Sequence, residues 1–446
     1  MRVSVPFLSK QRFYAYFCVF FVLFLSPIAK AVEIQQVTSP GGIKAWLVEE
    51  KSIPIISMEV IWKGGAVTNG KEKAGLAHLV ASTMDEGAGD LDSRAFQKQL
   101  SDNAISLSFG ANKESFSGSL KTLSENQDEA FRLFELAITN PRFDQEPVDR
   151  IRNQILISLN QKKSDPGSIA GRRWFELAFG DHPFSVPTNG FMETVEKLTL
   201  EDLKAYQRAQ IAKDNMYIAV VGDIDADNLA KLLDKTFGAI ADKSTLPKVE
   251  ALTAADLNAP IVDVSEMDIP QSRVIFGGAG VKRDDPDYYV AYVLNYVLGG
   301  GGFSSRLTEE IREKRGLVYS VYSYLSPFQA IGLHMGGFGT SNKAVGEAIS
   351  LVKAELEKMR TEGVTEEELI SAKTYLNGSF PLRLSSNNRI ANIMVSMQLS
   401  DLPPEYLDHR AELINAVSMA DIKRVANRLM DPEKLVITVV GKPEGL

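Results

Sequence analysis

The segment LEDLKAYQRAQIAKDNMYIAVVGD, Leu200 to Asp223, returns as MADIKRVANRLMDPEKLVITVVGK, Met419 to Lys442, at a constant offset of 219. Asp202 falls over Asp421, Lys204 over Lys423, and Val220-Val221-Gly222 over Val439-Val440-Gly441. Each copy reads as an amphipathic helix followed by an apolar strand closed by glycine. A second match, Phe143-Asp-Gln-Glu-Pro-Val-Asp-Arg-Ile against Val364-Thr-Glu-Glu-Glu-Leu-Ile, falls at an offset near 221. A chain that repeats itself over so long an interval is constrained to fold as two similar units, each with its own buried face.

Local patterns say what each unit contains. Helical spacing of apolar residues runs from Ser124 to Ile138, stopping at Asn140-Pro141, and again from Lys343 to Arg360, stopping near Gly363. Thr365 and Glu368 have the spacing of a capping box, which opens the next helix. Alternating runs at Ile55–Trp62, Ile105–Phe109 and Ser115–Leu120 read as strands, and so do Arg273–Gly277, Leu317–Ser323 and Ile331–Met335. Hairpins mixed with helix pairs predict an α+β protein: two homologous sandwich domains, each a largely antiparallel sheet packed with helices. The stretch Leu246–Pro260 lacks periodicity and is bracketed by prolines, so the domains are placed at 32–250 and 251–446.

The first 31 residues combine Arg2, Lys10 and Arg12 with an apolar run from Phe13 to Ile28 and an Ala29-Lys30-Ala31 end. This is the pattern of a cleavable signal peptide; the alternative is an uncleaved membrane anchor, for which the run is short of the roughly 18 to 20 residues that span a bilayer. The single cysteine, Cys18, lies inside it, so the mature chain is expected to form no disulfide and to use no thiolate. Cleavage after Ala31 leaves 45 Lys and Arg against 57 Asp and Glu, a net charge of −12. An acidic surface of that size argues against nucleic acid as a partner. A cleavable signal on a cysteine-free mature chain fits the periplasm, with no membrane attachment after cleavage.

Two stretches carry chemistry. In GLAHLVASTMDEG, Gly75 to Gly87, His78 sits on a predicted amphipathic helix, but position 81 is alanine and position 82 is serine. A zinc helix needs a second ligand one turn after the first and a carboxylate to act on bound water. Further on, Leu298 to Ser323 reads LGGGGFSSRLTEEIREKRGLVYSVYS, in which Arg312 and Tyr319 follow a run of four glycines, Gly299, Gly300, Gly301 and Gly302. No phosphate-cradling Gly-rich signature accompanies them, and the run suits close approach of an extended peptide.

Over residues 33 to 446 this layout resembles the pitrilysin or insulinase family of zinc peptidases, including the mitochondrial processing peptidase subunits. Gly75-Leu76-Ala77-His78 matches the start of that family's His-x-x-Glu-His helix, while Ala81 stands in place of the base and Ser82 in place of the second ligand. The family's later glutamate ligand maps to Ser158, on a segment with no acidic residue between Arg150 and Lys163. The resemblance therefore implies a degenerate metal site of His78, Ala81, Ser82 and Ser158, with rescue by His182, His334 or His409 left open. It also implies that Arg312 and Tyr319 act on substrate across the cavity from zinc, with Gly299 to Gly302, Ser305 and Arg306 in the substrate-binding segment. The expected chain is a non-catalytic subunit, like the alpha-type partner of the processing peptidase, and half of a clamshell. It would have no cofactor of its own, with zinc held by a homologous partner subunit and peptides as substrates. Two alternatives stay open: a scaffold or peptide-binding protein with no part in hydrolysis, and a self-sufficient zinc peptidase using unfamiliar ligands.

Overall fold

The computed structural model describes residues 33–444 and 446, so the predicted signal peptide and Cys18 lie outside the described residues. Strands β1 Gln35–Thr38, β2 Lys44–Glu49, β3 Ile55–Lys63, β4 Ser106–Ala111, β5 Ser115–Leu123 and β6 Met216–Gly222 form one sheet in the order β1-β2-β6-β3-β5-β4. Strands β7 Ile261–Glu266, β8 Gln271–Ala279, β9 Val318–Pro327, β10 Gly332–Ser341 and β11 Val436–Gly441 form a second, in the order β7-β11-β8-β10-β9. With β1 set aside, the two orders are the same. Each sheet has one parallel pair, β2 with β6 and β7 with β11, and is otherwise antiparallel. The fold is the expected α+β arrangement, and the repeated segment supplies equivalent strands, β6 and β11.

Those two strands are near-continuous apolar runs because both their faces are covered: β11 is buried at every position and β6 at its last five. The helix Pro166–Phe179 packs on β8 and β11, although it precedes the second sheet by almost a hundred residues. The helix Asn387–Leu399 packs on β3 and β6 of the first sheet. Asn387 follows Pro166 by 221 residues, the offset of the second sequence match, so the halves exchange the same helix. Trp174 Nε1 donates to Val436 O at 2.9 Å in one direction, and Gln398 Nε2 to Ile218 O at 2.8 Å in the other. A boundary at residue 250 thus divides the strands between the sheets but not the packing.

Cores follow the same division. Trp62, Phe116, Phe134 and Phe237 are buried in the first half, and Phe276, Phe338, Leu356 and Ile422 in the second. A third cluster of Trp174, Phe179, Phe184, Leu333 and Val436 joins them.

His334 on β10 is fully enclosed, with Nε2 3.2 Å from Asn295 Oδ1, an acceptor that also takes the Ser323 hydroxyl at 2.8 Å. Burial pulls its pKa down from 6.5 to about 4. Between those values the unfolded chain holds the extra proton, so stability falls as pH drops from about 6.5 toward about 4. His334→Gln is expected to flatten that part of the stability-against-pH curve, measured by urea melts at several pH values.

Candidate functional site

Beyond β3 the chain turns through Gly64 and Gly65 and reaches the helix Leu76–Ala81, six residues long. Gly75 caps it at φ +92°, and a Cβ there would lie 2.9 Å from Asn189 O. The helix is shorter than the sequence suggests. Ser82 Oγ donates back to His78 O at 2.9 Å and Thr83 Oγ1 to Leu79 O at 2.7 Å, so hydroxyls satisfy carbonyls where the chain leaves the helix.

These contacts decide whether the residues fit a metal. Ala81 is buried in the core and offers no donor atom. The Ser82 hydroxyl is spent on its own helix. His78 is half-buried, and its pKa is lowered first by burial and then by the positive charge of Lys162. Lys162 ends the helix Gln145–Lys162, which also carries Ser158, so the segment that maps to an anionic ligand presents a cation instead. Asp85 is pushed up to about 6, mainly by burial, and Glu86 is engaged by Arg150 at 2.6 Å. His182 Nδ1 accepts from the Phe184 amide at 3.2 Å, His334 is enclosed in the other half, and His409 is exposed beside Glu412. Among the described residues no three His, Cys, Asp or Glu side chains gather in a way that could hold a metal ion. The residues do not fit zinc.

His78→Ala is accordingly expected to leave the zinc content of the purified chain unchanged and well below one equivalent, by atomic emission after desalting. Stoichiometric zinc lost with that one substitution would reverse the assignment.

The segment Tyr296–Glu313 is built differently from an open loop. Tyr296 to Gly300 and Thr308 to Glu313 form wide turns closed by five-residue bonds, Gly301 N to Tyr296 O at 2.8 Å and Lys314 N to Glu309 O at 3.0 Å. Such turns recur at functional sites. A Cβ on Gly299 would come within 2.6 Å of the Ser323 amide, so this glycine lets the turn press onto β9. Gly300 and Gly301 lie within the same wide turn, and Gly302 supplies a φ of +59° with open space around it. Ser305 is buried, its hydroxyl donating to Gly302 O at 2.7 Å. Arg306 forms a two-pronged pair with Glu368, both bonds 2.6 Å, and Glu368 is also the residue that closes the capping box with Thr365. In this structure Ser305 and Arg306 are therefore held by internal partners.

Arg312 and Tyr319 do come together. The Arg312 guanidinium lies 5.6 Å from the Tyr319 ring centroid and 4.7 Å from that of Phe303, and Tyr319 and Phe303 are 86% and 72% exposed. Its nearest carboxylate is Glu313, at 3.5 Å. Tyr319 belongs to β9, an edge strand, where Tyr322 and Tyr324 are exposed as well. Phe303 and Glu368 escaped the sequence reading. Phe303 was visible only as an apolar residue after four glycines, and Glu368 was accounted for by its cap.

Residues 46–190 match the model of Insulinase (Peptidase family M16), and residues 197–376 match that of the Peptidase M16 inactive domain. The chain belongs to peptidase family M16. Among M16 relatives it is 28% identical to the Non-peptidase homolog YmxG of Helicobacter pylori, over 84% of this chain and 86% of that one. It is 26% identical to an uncharacterized zinc protease of Mycobacterium leprae, covering 90% and 91%. A crystal structure of a peptidase M16 inactive domain from Pseudomonas fluorescens superposes with a TM-score of 0.85 at 28% identity, covering 92% of this chain and 98% of that one. As an M16 chain it thus carries both the peptidase-type and the inactive-type domain, and among the described residues no group of three metal-ligating side chains gathers at His78. No helix among the described residues is long and apolar enough to cross a membrane.

Proposed function

We propose that this M16 chain is the non-catalytic, substrate-holding subunit of an exported heterodimeric zinc peptidase, working in the periplasm. A homologous subunit with intact ligands would hold zinc, and this chain would close the other half of the chamber and supply Arg312 and Tyr319. The observation that carries the reading is the contrast within one polypeptide. The Ala81 and Ser82 positions beside His78 offer no second donor, whereas Tyr319 faces solvent on an edge strand with the half-buried Arg312 guanidinium beside its ring. A guanidinium and a phenol both donate hydrogen bonds, and in a chamber with little water they stabilise negative charge growing on a peptide carbonyl. The exposed edge of β9 offers unpaired backbone groups to an extended peptide beside them.

The test is peptide cleavage by this chain alone, by a zinc-bearing candidate partner alone, and by the mixture. Cleavage only in the mixture is the expected result; cleavage by this chain alone removes the dependence on a partner. A scaffold role without hydrolysis draws support from Ser305 and Arg306, which are held internally. Under that reading the mixture is no more active than the partner.

A further inference from the structure

A cleft lies away from both His78 and Arg312, where the exchanged helix Asn387–Leu399 passes between the halves. Its volume is about 800 Å³, within the range of ligand pockets and too large for a bare inorganic anion. The N-terminal half contributes the β4–β5 turn with Lys113 and Glu114, and the C-terminal half contributes Arg283, Arg383 and Arg410. Four cations thus face one carboxylate in a chain whose net charge is −8.

The arginines differ from the salt-bridged majority of arginines among the described residues. Arg306, Arg424, Arg428 and Arg173 all pair with carboxylates. Among the described residues none of Arg283, Arg383 and Arg410 has a carboxylate oxygen within 4.0 Å. Arg410 is only 6% exposed; its guanidinium lies over Phe380 at 4.1 Å and makes a long hydrogen bond, 3.3 Å, to Leu376 O. Arg283 stacks on Tyr288 at 4.0 Å and donates to Tyr406 Oη at 2.5 Å. Glu114 is not paired with them: its two oxygens accept from the amides of Gln329 and Ala330, both at 2.6 Å. A buried cation without a counter-charge is costly to keep, and an incoming anion relieves that cost.

We infer that this cleft is a binding site for a short peptide carrying a free C-terminal carboxylate, with the carboxylate on Arg283, Arg383 and Arg410 and the last side chain against the aromatic wall. Phe328, Met397 and Leu402 give that wall its apolar surface, while Asn112 and Ser400 offer an amide and a hydroxyl along the cleft, suited to a peptide backbone rather than to an alkyl tail. The site goes beyond the proposed function and needs no partner subunit.

The test is calorimetry on the purified chain alone with acetyl-Ala-Leu-Ala-Phe, as the free acid and as the C-terminal amide. Charge-assisted bonds predict that the acid binds about tenfold or more tightly than the amide. Arg383→Gln, on an exposed side chain, is expected to weaken the acid by about tenfold with an unchanged melting temperature, and Arg283→Lys by less than Arg283→Gln. Arg312→Ala is expected to leave this binding unaltered, so failure here and failure of the heterodimer reading are separable. Equal affinity for acid and amide, no binding of either, indifference to Arg383→Gln, or laurate binding where the peptide acid does not would each overturn the inference.

Discussion

Arg312→Ala is expected to lower kcat of the assembled heterodimer by about 100- to 1000-fold, the usual consequence of deleting one donor to a developing oxyanion. The chain itself should remain folded. The Arg312 side chain makes one ion pair, a 3.5 Å contact to the neighbouring Glu313, and two ring contacts, to the exposed Phe303 and Tyr319. Losing exposed stacking of that kind costs about 0.5–1 kcal/mol. Tyr319→Phe removes one hydroxyl from a side chain that is 86% exposed, so its effect on stability should be smaller still. The split between kinetic constants identifies the role. A donor engaged only in the transition state lowers kcat and kcat/KM together, whereas a group that binds the peptide uniformly raises KM alone. Steady-state assays of the mixture with this chain in excess give both numbers. If Arg312→Ala leaves kcat and KM where they were, the pair has no part in hydrolysis and the chain is a scaffold.

The architecture was legible because duplication and alternation are properties of local sequence. The capping box at Thr365 and Glu368 closes as its spacing requires, with Thr365 N donating to Glu368 Oε2 at 2.7 Å. The six alternating runs became β3, β4, β5, β8, β9 and β10. The helix exchange was not legible, since nothing in an amphipathic pattern names the sheet that will cover its apolar face. Local readings failed where hydroxyls compete for backbone carbonyls. The helix from Leu76 ends at Ala81 because Ser82 and Thr83 bond back to His78 and Leu79. At the candidate site, the lack of a metal donor at Ala81 could be read from residue type alone. The glycine run could not. The run reads as suited to the approach of an extended peptide, and only the packing of Gly299 against Ser323 shows a wide turn pressed on β9. Arg306 is a similar case, because its partner Glu368 lies sixty-two residues away.

Trp174→Ala is expected to destabilise the whole chain by about 3–5 kcal/mol, as deletion of a fully buried aromatic commonly does. Trp174 lies in the N-terminal half by sequence, but its indole is packed in the cluster with Leu333 and Val436 of the second sheet. A Cβ on Gly277 of β8 would stand 3.1 Å from Trp174 Cζ2, so the strand makes room for the ring. The substitution therefore opens a cavity and leaves the Val436 carbonyl without the 2.9 Å bond it accepts. Trp174→Phe keeps much of the volume and loses the hydrogen bond, and should cost less. Because the helix belongs to one half and its sheet to the other, the two halves should unfold together. Urea denaturation followed by tryptophan fluorescence and by far-ultraviolet circular dichroism should then give coincident single transitions for the native chain, shifted to lower urea in Trp174→Ala. Two separated transitions, with only the later one shifted, would show that the exchanged helices do not couple the halves.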